Sequence, residues 1–214
     1  MVKLTRYTLG AMITAALTLA ACGDGSAVLP EGSARGNCPS SQPAALNAGA
    51  QREIRMETSM GEITLLLEAD LSPIAVGNFV ALASCGFYDN VIFHRIAYMQ
   101  DGTPFVIQGG DPTGTGMGDP GYKIQDEPVI GVYERGVVAM ARSAAPNSQG
   151  SQFFIVLDDA AAAPLESVRT YAILGHVTSG MEVVDAIAGV ERDGEDRPVV
   201  PVTIVSTTVS NPAP

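Results

Sequence analysis

Short runs of alternating apolar and polar residues, separated by glycine-containing turns, make up most of the chain after residue 51. Glu53–Met56 and Glu62–Leu67 flank Thr58–Gly61, and this pattern predicts a β-hairpin in which Gly61 relieves the turn. Similar runs follow at Val91–Ile96, Phe105–Gln108, Val137–Ala141, Phe153–Leu157, Ala172–Leu174 and Val200–Val205. So many short strands predict a mostly β domain.

Two segments have helical rather than strand spacing. Ser72-Pro73 predicts a helix start, with the serine as the cap and the proline in the first turn, where its missing N–H is harmless. Before the stop at Gly86, apolar residues recur at helical spacing: Ala75, Phe79, Leu82 and Ala83. A second helix is predicted over Met181–Ile187. Two helices among short strands favour a closed antiparallel barrel, because closure removes exposed strand edges and helices can plug the ends.

The amino terminus has the pattern of an export signal. Lys3 and Arg6 precede an apolar run from Leu9 to Leu19, and small residues stand directly before Cys22. We therefore predict that residues 1–21 are a signal peptide. The Leu-Ala-Ala-Cys ending resembles a bacterial lipoprotein signal, which implies that Cys22 is acylated and anchors the chain to a membrane of the cell envelope, facing the periplasm or the exterior. The alternative is an ordinary cleaved signal with an incidental cysteine.

Residues 22–51 are rich in Gly, Ser, Ala, Pro and Asn and have no sustained apolar period. This composition predicts a flexible tether that precedes a single domain over residues 52–214. Cys38 lies in the tether and Cys85 at the end of the first predicted helix. In an exported compartment the two cysteines can form a disulfide. The alternative is a free thiol at Cys38 and a buried thiol at Cys85.

The charge of the chain restricts its partners. The formal net charge is -11 and becomes -13 without residues 1–21, because Lys3 and Arg6 are lost and no acid is lost with them. So acidic a protein has no electrostatic footprint for nucleic acid. It also gains little from anionic lipid, so acylation of Cys22 is the expected membrane attachment.

Three blocks of sequence carry the candidate chemistry: Phe93–Arg95, Phe105–Asp111 and Gly150–Ile155. They place one arginine and two glutamines among aromatic residues, a combination that suits holding an uncharged peptide better than cleaving a bond. A dinucleotide site at Gly116–Gly121 is rejected because Pro120 stands where a helix would begin. A hydrolase using Ser151 with His94 or His176 as the base lacks a nucleophile elbow. Two histidines far apart in sequence, without a cysteine cluster, argue against a built-in metal site.

Together with Met140–Ser143 and Pro146-Asn147, these blocks closely resemble the cyclophilin family of peptidyl-prolyl cis/trans isomerases. The resemblance runs from about Ile54 to Val205. It implies a closed antiparallel eight-stranded β-barrel capped by two α-helices. It also implies a monomeric isomerase that acts on proline-containing segments of flexible or unfolded polypeptides, assists their folding and needs no cofactor or metal.

The resemblance assigns roles by position. The catalytic group is expected to be Arg95, Phe105, Gln108, Gln152 and Phe154, and the substrate-binding group Val106, Ala141, Arg142, Ser143, Leu165 and Tyr171. Val106 stands where a methionine is usual, Arg142 where Asn is frequent and Tyr171 where many members have His. The region 158–170 offers no Trp, which many members place there and on which cyclosporin binding relies.

The alternative for each of these residues is a purely structural role. Phe105 and Phe154 would then be core aromatics, and Arg95 would be a surface side chain with its stem packed on the barrel. The main alternative function is a tethered module that holds proline-containing segments, as a chaperone would, without turnover. The altered region around Leu165 leaves room for that alternative. A surface adhesin that uses the acidic exterior has no positive motif.

Overall fold

Apolar residues that alternate along the strands point into a closed barrel in the computed structural model of the protein, which describes residues 37–212. The eight strands are β1 (Gln51–Thr58), β2 (Gly61–Glu68), β3 (Val91–Tyr98), β4 (Pro104–Asp111), β5 (Val137–Met140), β6 (Phe153–Val156), β7 (Ile173–Ser179) and β8 (Val202–Ser210). Their order around the barrel is β1-β2-β7-β5-β6-β4-β3-β8, and every pairing is antiparallel. The predicted barrel is confirmed. The predicted signal peptide and the predicted anchor Cys22 lie outside the described residues.

The two faces of the strands carry two separate apolar clusters. One fills the barrel and includes Phe93, Ile107 and Phe153, which are fully buried. The other lies on the opposite side of β4, β5 and β6, because residues one position along, such as Val106 and Phe154, belong to it. We call this second set the outer cluster; it supplies a preformed apolar floor beside the candidate site.

Three α-helices accompany the strands within residues 37–212: α1 (Pro73–Ser84), α2 (Ala162–Val168) and α3 (Met181–Ala188). Helices α1 and α3 match the two predicted from the sequence. Helix α2 is an addition, and it follows a single turn of 3-10 helix at Asp159–Ala161. Within the described residues, none of these helices combines the length and the hydropathy that a membrane span requires.

The cap of α1 differs from the prediction. The Ser72 side chain makes no capping hydrogen bond, and its hydroxyl is buried without a partner among the described residues. Instead, the backbone N–H groups of Ile74 and Ala75 each donate to the Glu127 carboxylate, both at 2.8 Å. A carboxylate satisfies two free N–H groups at once and complements the positive end of the helix dipole, which a single hydroxyl cannot do.

The second half of the predicted tether lies against the domain. Leu46 donates its N–H to the Pro73 carbonyl at 3.0 Å, and the Gln42 side chain accepts the N–H of Gln125 at 2.8 Å. Cys38 and Cys85 form a disulfide, with Cα atoms 5.3 Å apart. We call residues 37–50 the strap. The predicted start of the domain at residue 52 therefore leaves out a segment that is bonded to it.

Candidate active site

The central residues of the predicted site lie side by side on three neighbouring strands. Arg95 of β3 is paired with Gln108 of β4, and Gln108 is paired with Phe154 of β6. Directly paired residues of antiparallel strands share one face and hold their side chains about 5 Å apart. We call this alignment the Arg95 row. The row brings a cation, an amide and an aromatic ring together over the outer face of the barrel.

A bulge in β3 explains why Arg95 faces outward. The register between β3 and β4 shifts between Phe93 and Arg95, so that Phe93 pairs with Gly109 and Arg95 with Gln108. Phe93 points into the core, and the Arg95 side chain is 45% exposed. An extra residue in one strand re-aims the side chains that follow it. His94, the residue inside the bulge, is buried, and neither ring nitrogen has a hydrogen-bond partner among the described residues.

The outer cluster forms an apolar floor next to the row. Val106, Phe154 and Leu165 are all nearly buried, and Phe105 and Tyr171 pack against them. Leu165 comes from α2, so this helix, which the sequence did not predict, supplies part of the floor. The rings of Phe154 and Tyr171 meet edge to face with centroids 5.3 Å apart. Such a floor can receive a small apolar ring such as a proline side chain.

Tyr133 holds Tyr171 in place and was not predicted. Its hydroxyl donates to the Tyr171 carbonyl at 2.8 Å, and the Tyr171 N–H donates back to that hydroxyl at 3.2 Å. Burial raises the pKa of Tyr133 to about 12, so the hydroxyl keeps its proton and remains a donor. Tyr133 lies in a long irregular connection, where no periodicity marks a tyrosine as part of a site.

Two glutamines form a polar bridge that leads from the row to a neighbouring loop. Gln108 donates its side-chain N–H to Gln152 Oε1 at 2.9 Å, and the Gln152 amide donates to the carbonyls of Gly116 and Gly118 at 3.0 and 2.9 Å. None of the hydrogen bonds between described residues uses Gln108 Oε1. This oxygen can therefore accept an N–H from a bound peptide backbone.

The loop that Gln152 contacts is shaped by Asp111. The Asp111 carboxylate accepts the N–H groups of Thr113 at 2.7 Å and Gly118 at 2.9 Å, and the Thr113 hydroxyl at 2.8 Å. Burial alone would raise the pKa of Asp111, but these hydrogen bonds bring it below its ordinary value. A Cβ on Gly118 would lie 2.0 Å from the carboxylate, so only glycine fits there.

Beyond the glutamines lies an open cavity of about 350 Å³. Ala141, Arg142 and Ser143 line it together with Gln108, Gln152, Gly116–Asp119, Lys123, Ser148, Gly150 and Ser151. A peptide that crosses the glutamine bridge from the apolar floor would place its next residue in this cavity.

Arg142 is a structural clamp in this cavity wall. Its side chain is only 9% exposed, it lies 3.1 Å from Asp126, and it donates to the Ala145 carbonyl at 2.7 Å. Asp126 and Asn147 also exchange hydrogen bonds through their backbone N–H groups, both at 2.8 Å. The cation is therefore occupied in holding two loops together.

Ser151 forms no described hydrogen bond with His94 or His176, so these residues do not make up a hydrolytic triad. The Ser151 hydroxyl is buried and donates to the Gly110 carbonyl at 2.7 Å. Among residues 37–212, no three potential metal ligands from His, Cys, Asp and Glu cluster. What the site offers is a charged donor, amide groups and an apolar floor next to one another.

Comparisons with known proteins agree on one family. Residues 53–209 match the family described as cyclophilin type peptidyl-prolyl cis-trans isomerase/CLD. A peptidyl-prolyl cis-trans isomerase of Arabidopsis thaliana is 41% identical over 167 residues, which cover 75% of this chain and 95% of that protein. Peptidyl-prolyl cis-trans isomerase A of Mycobacterium tuberculosis is 38% identical over 174 residues, covering 72% and 90%.

The solved structures give the same picture. The crystal structure of a cyclophilin type peptidyl-prolyl cis-trans isomerase of Cryptosporidium parvum is 33% identical, with a TM-score of 0.66, and covers 76% of this chain and 99% of that one. A second crystal structure of that protein was determined in the presence of the dipeptide Ala-Pro; it has a TM-score of 0.66, 32% identity and coverage of 75% and 99%.

Proposed function

The chain belongs to the cyclophilin-type peptidyl-prolyl cis-trans isomerases and is an enzyme of that class, and on this premise we propose that it acts on X-Pro bonds of exported or cell-envelope polypeptides. We further propose that Arg95 is the catalytic residue and that the reaction uses neither a covalent intermediate nor a cofactor. The observation that carries this proposal is the Arg95 row, in which the guanidinium, Gln108 and Phe154 lie next to one another.

The chemistry follows from the bond that has to rotate. The barrier of ~18–20 kcal/mol comes from partial double-bond character of C–N, so a group that reduces this resonance speeds rotation. A guanidinium that donates to the prolyl nitrogen favours the twisted, pyramidal state over the planar ground state. An acceleration of about 10⁵ requires roughly 7 kcal/mol of such preference. A charged donor beside a dry apolar floor can supply it.

The neighbouring groups would position the peptide. Val106, Phe154 and Leu165 would take the proline ring, while Gln108 Oε1 would accept a backbone N–H of the substrate. The second Cryptosporidium parvum structure was determined in the presence of Ala-Pro, which is consistent with an X-Pro unit as the recognised element. The cavity beyond the glutamines would accept the residue next to that unit along the peptide, so it would set any preference for sequence around the proline.

The experiment compares cis/trans exchange of a short X-Pro peptide by NMR in the presence of the purified full chain and its Arg95→Ala variant. We expect exchange catalysed by the parent to fall by about 10²–10³-fold in the variant, the usual cost of removing one preorganised donor. Arg55→Ala is the matched control, because Arg55 is also exposed and pairs with Glu62 at 3.5 Å, but lies on β1, outside the row. Full activity of Arg95→Ala would overturn its role, and binding without acceleration by the parent would favour the holding module.

The proposed location rests on the amino terminus. We propose that residues 1–21 are removed and that acylated Cys22 anchors the enzyme in the cell envelope. The Cys38–Cys85 disulfide supports this location, because such bonds persist in oxidising compartments. Labelling cells with palmitate tests it: the parent should carry the label and sediment with membranes, and Cys22→Ala should do neither. A labelled Cys22→Ala variant would contradict the anchor.

A further inference from the structure

The edge of β3 beside Arg95 is completed by a loop rather than by a strand. Strand β8 pairs with β3 only from Val91 to Phe93. Further along, Ile96 donates its N–H to the Asp196 carbonyl at 2.7 Å and accepts a hydrogen bond from Arg192 Nη1 at 3.0 Å. We call residues 191–199 the edge loop. It continues the hydrogen bonding of the sheet next to the catalytic position.

The side chain of Asp196 points to Arg95 from this loop. Its Oδ2 lies 3.8 Å from Arg95 Nε, and its Oδ1 lies 3.7 Å from Arg192 Nη1. The guanidinium of Arg192 in turn lies 3.8 Å above the ring of Tyr98. The carboxylate is therefore held between two guanidinium groups, one of which is fixed against an aromatic ring of the same strand as Arg95.

The edge loop fixes the Asp196 backbone before any substrate binds. Asp196 has a φ of 64°, in the left-handed region that Asp and Asn tolerate better than other residues with a side chain. The Asp193 carboxylate accepts the N–H groups of Glu195 and Arg197 at 2.8 and 3.0 Å, and Asp193 and Arg197 also pair through N–H and carbonyl at 2.8 Å. These bonds hold the turn closed and fix the backbone from which the Asp196 carboxylate projects.

We propose that Asp196 is a positioning residue for Arg95: its carboxylate holds the guanidinium by the Nε side and leaves both terminal nitrogens directed at the substrate. This inference rests on the proposed catalytic role of Arg95. Nε is the guanidinium nitrogen nearest to the carboxylate, and 3.8 Å is an ion-pair distance rather than a hydrogen bond, so the N–H donors of both terminal nitrogens stay available. A side chain of this length loses considerable rotamer freedom when it is ordered, and the carboxylate supplies that order in advance.

The test uses Asp196→Asn in the full chain. Asparagine keeps the side-chain shape and tolerates the same backbone conformation, and the backbone carbonyl still bonds Ile96. Since both side chains are about half exposed, we expect kcat to fall about two- to fivefold, with KM nearly unchanged because Arg95 acts in the twisted state. Glu195→Gln is the matched control, because this neighbouring acid is 75% exposed and lies 3.6 Å from Arg197. If Asp196→Asn fails to fold, Asp196→Gly, which accepts a positive φ, replaces it.

A double-mutant cycle separates positioning from a general structural effect. In an Arg95→Ala background, Asp196→Asn should produce no further fall in activity, whereas equal losses in both backgrounds would overturn the proposal. The NMR resonance of Arg95 Nε–H gives a second readout that needs no turnover: Asp196→Asn should shift it and Glu195→Gln should not. A parent without isomerase activity would therefore contradict the proposed function. An Nε–H resonance that Asp196→Asn leaves unshifted would contradict the role of Asp196.

Discussion

His94 is a buried histidine at the base of the site, directly before Arg95. Burial lowers its pKa, the Asp111 carboxylate partly opposes this, and the charges of Arg197 and Arg95 add to the lowering. In the folded protein the ring therefore stays neutral at pH values where an exposed histidine has already taken up a proton. A neutral ring next to the guanidinium proposed to be catalytic avoids placing two like charges on one bulge.

This environment makes His94 a source of acid instability. As the pH falls through about 6.5, His94 of the unfolded chain binds a proton before His94 of the folded chain does. The stability present above that pH is therefore lost progressively on the way down to the lowered pKa of the folded state. We predict that the free energy of unfolding in urea decreases from pH 7.5 to 5.5 in the parent and decreases less in His94→Leu.

His176 provides the control, because the chain has two histidines and this one is exposed on β7. His176→Gln should keep the slope of the parent between pH 7.5 and 5.5. Identical slopes in the parent and in both variants would show that His94 does not carry the effect.

At the scale of elements, the sequence predicts the strands well and the long-range partners poorly. Alternation locates β7 at Ala172–Leu174, but the strand continues to Ser179 because polar residues at its end still pair with β2. Helix α2 has no clear apolar period, and Pro164 obscures it, although a proline near a helix start lacks only an N–H that has no intrahelical partner.

The same contrast holds for the candidate site. Arg95, Gln108 and Phe154 belong to local blocks that resemble a family, so their assignment needs no knowledge of the fold. Asp196 and Tyr133 reach the site from an edge loop and an irregular connection, and their neighbours in sequence carry no matching pattern. Such partners become visible only when the strands are closed into a barrel.

The cap on α1 is an element-scale contact that can be tested. Glu127→Ala removes the carboxylate that accepts the N–H groups of Ile74 and Ala75. We predict a loss of about 1–2 kcal/mol in the free energy of unfolding, measured in urea, since this is the usual cost of deleting a helix cap.

Glu134→Ala on the same irregular connection is the matched control, because Glu134 is exposed and does not contact α1 through any described hydrogen bond. Its stability should stay within about 0.5 kcal/mol of the parent. Equal stability of Glu127→Ala and the parent would mean that Ser72 or solvent replaces the cap.

At the scale of the whole molecule, the strap makes the domain larger than its barrel. Its Cys38 forms the disulfide with Cys85, just after the end of α1. Its Leu46 donates a hydrogen bond to the Pro73 carbonyl at the start of the same helix. Midway, the Ala44 carbonyl lies so close to Gly77 that a Cβ there would be 2.6 Å away. The strap therefore lies along the side of α1, and the helix has a glycine where the two backbones approach.

Removing the disulfide should destabilise the molecule without disabling the site. The bond joins cysteines separated by 47 residues. Closing a loop of that length lowers the entropy of the unfolded chain, which stabilises the folded protein by at most about 4 kcal/mol. We predict that Cys38→Ser with Cys85→Ser lowers the free energy of unfolding by roughly 2–4 kcal/mol. Because no strap residue lines the cavity or belongs to the Arg95 row, kcat/KM should change by less than about twofold while the protein is folded.

Reduction of the parent with a thiol should reproduce the lower stability, and the same thiol should leave the double variant unchanged. This comparison separates the disulfide from the effect of the serine side chains. A double variant as stable as the oxidised parent would mean that the hydrogen bonds of Gln42 and Leu46 hold the strap by themselves. A large loss of kcat/KM at full folding would instead show that the strap positions the cavity wall, through Gln42 and its neighbour Gln125.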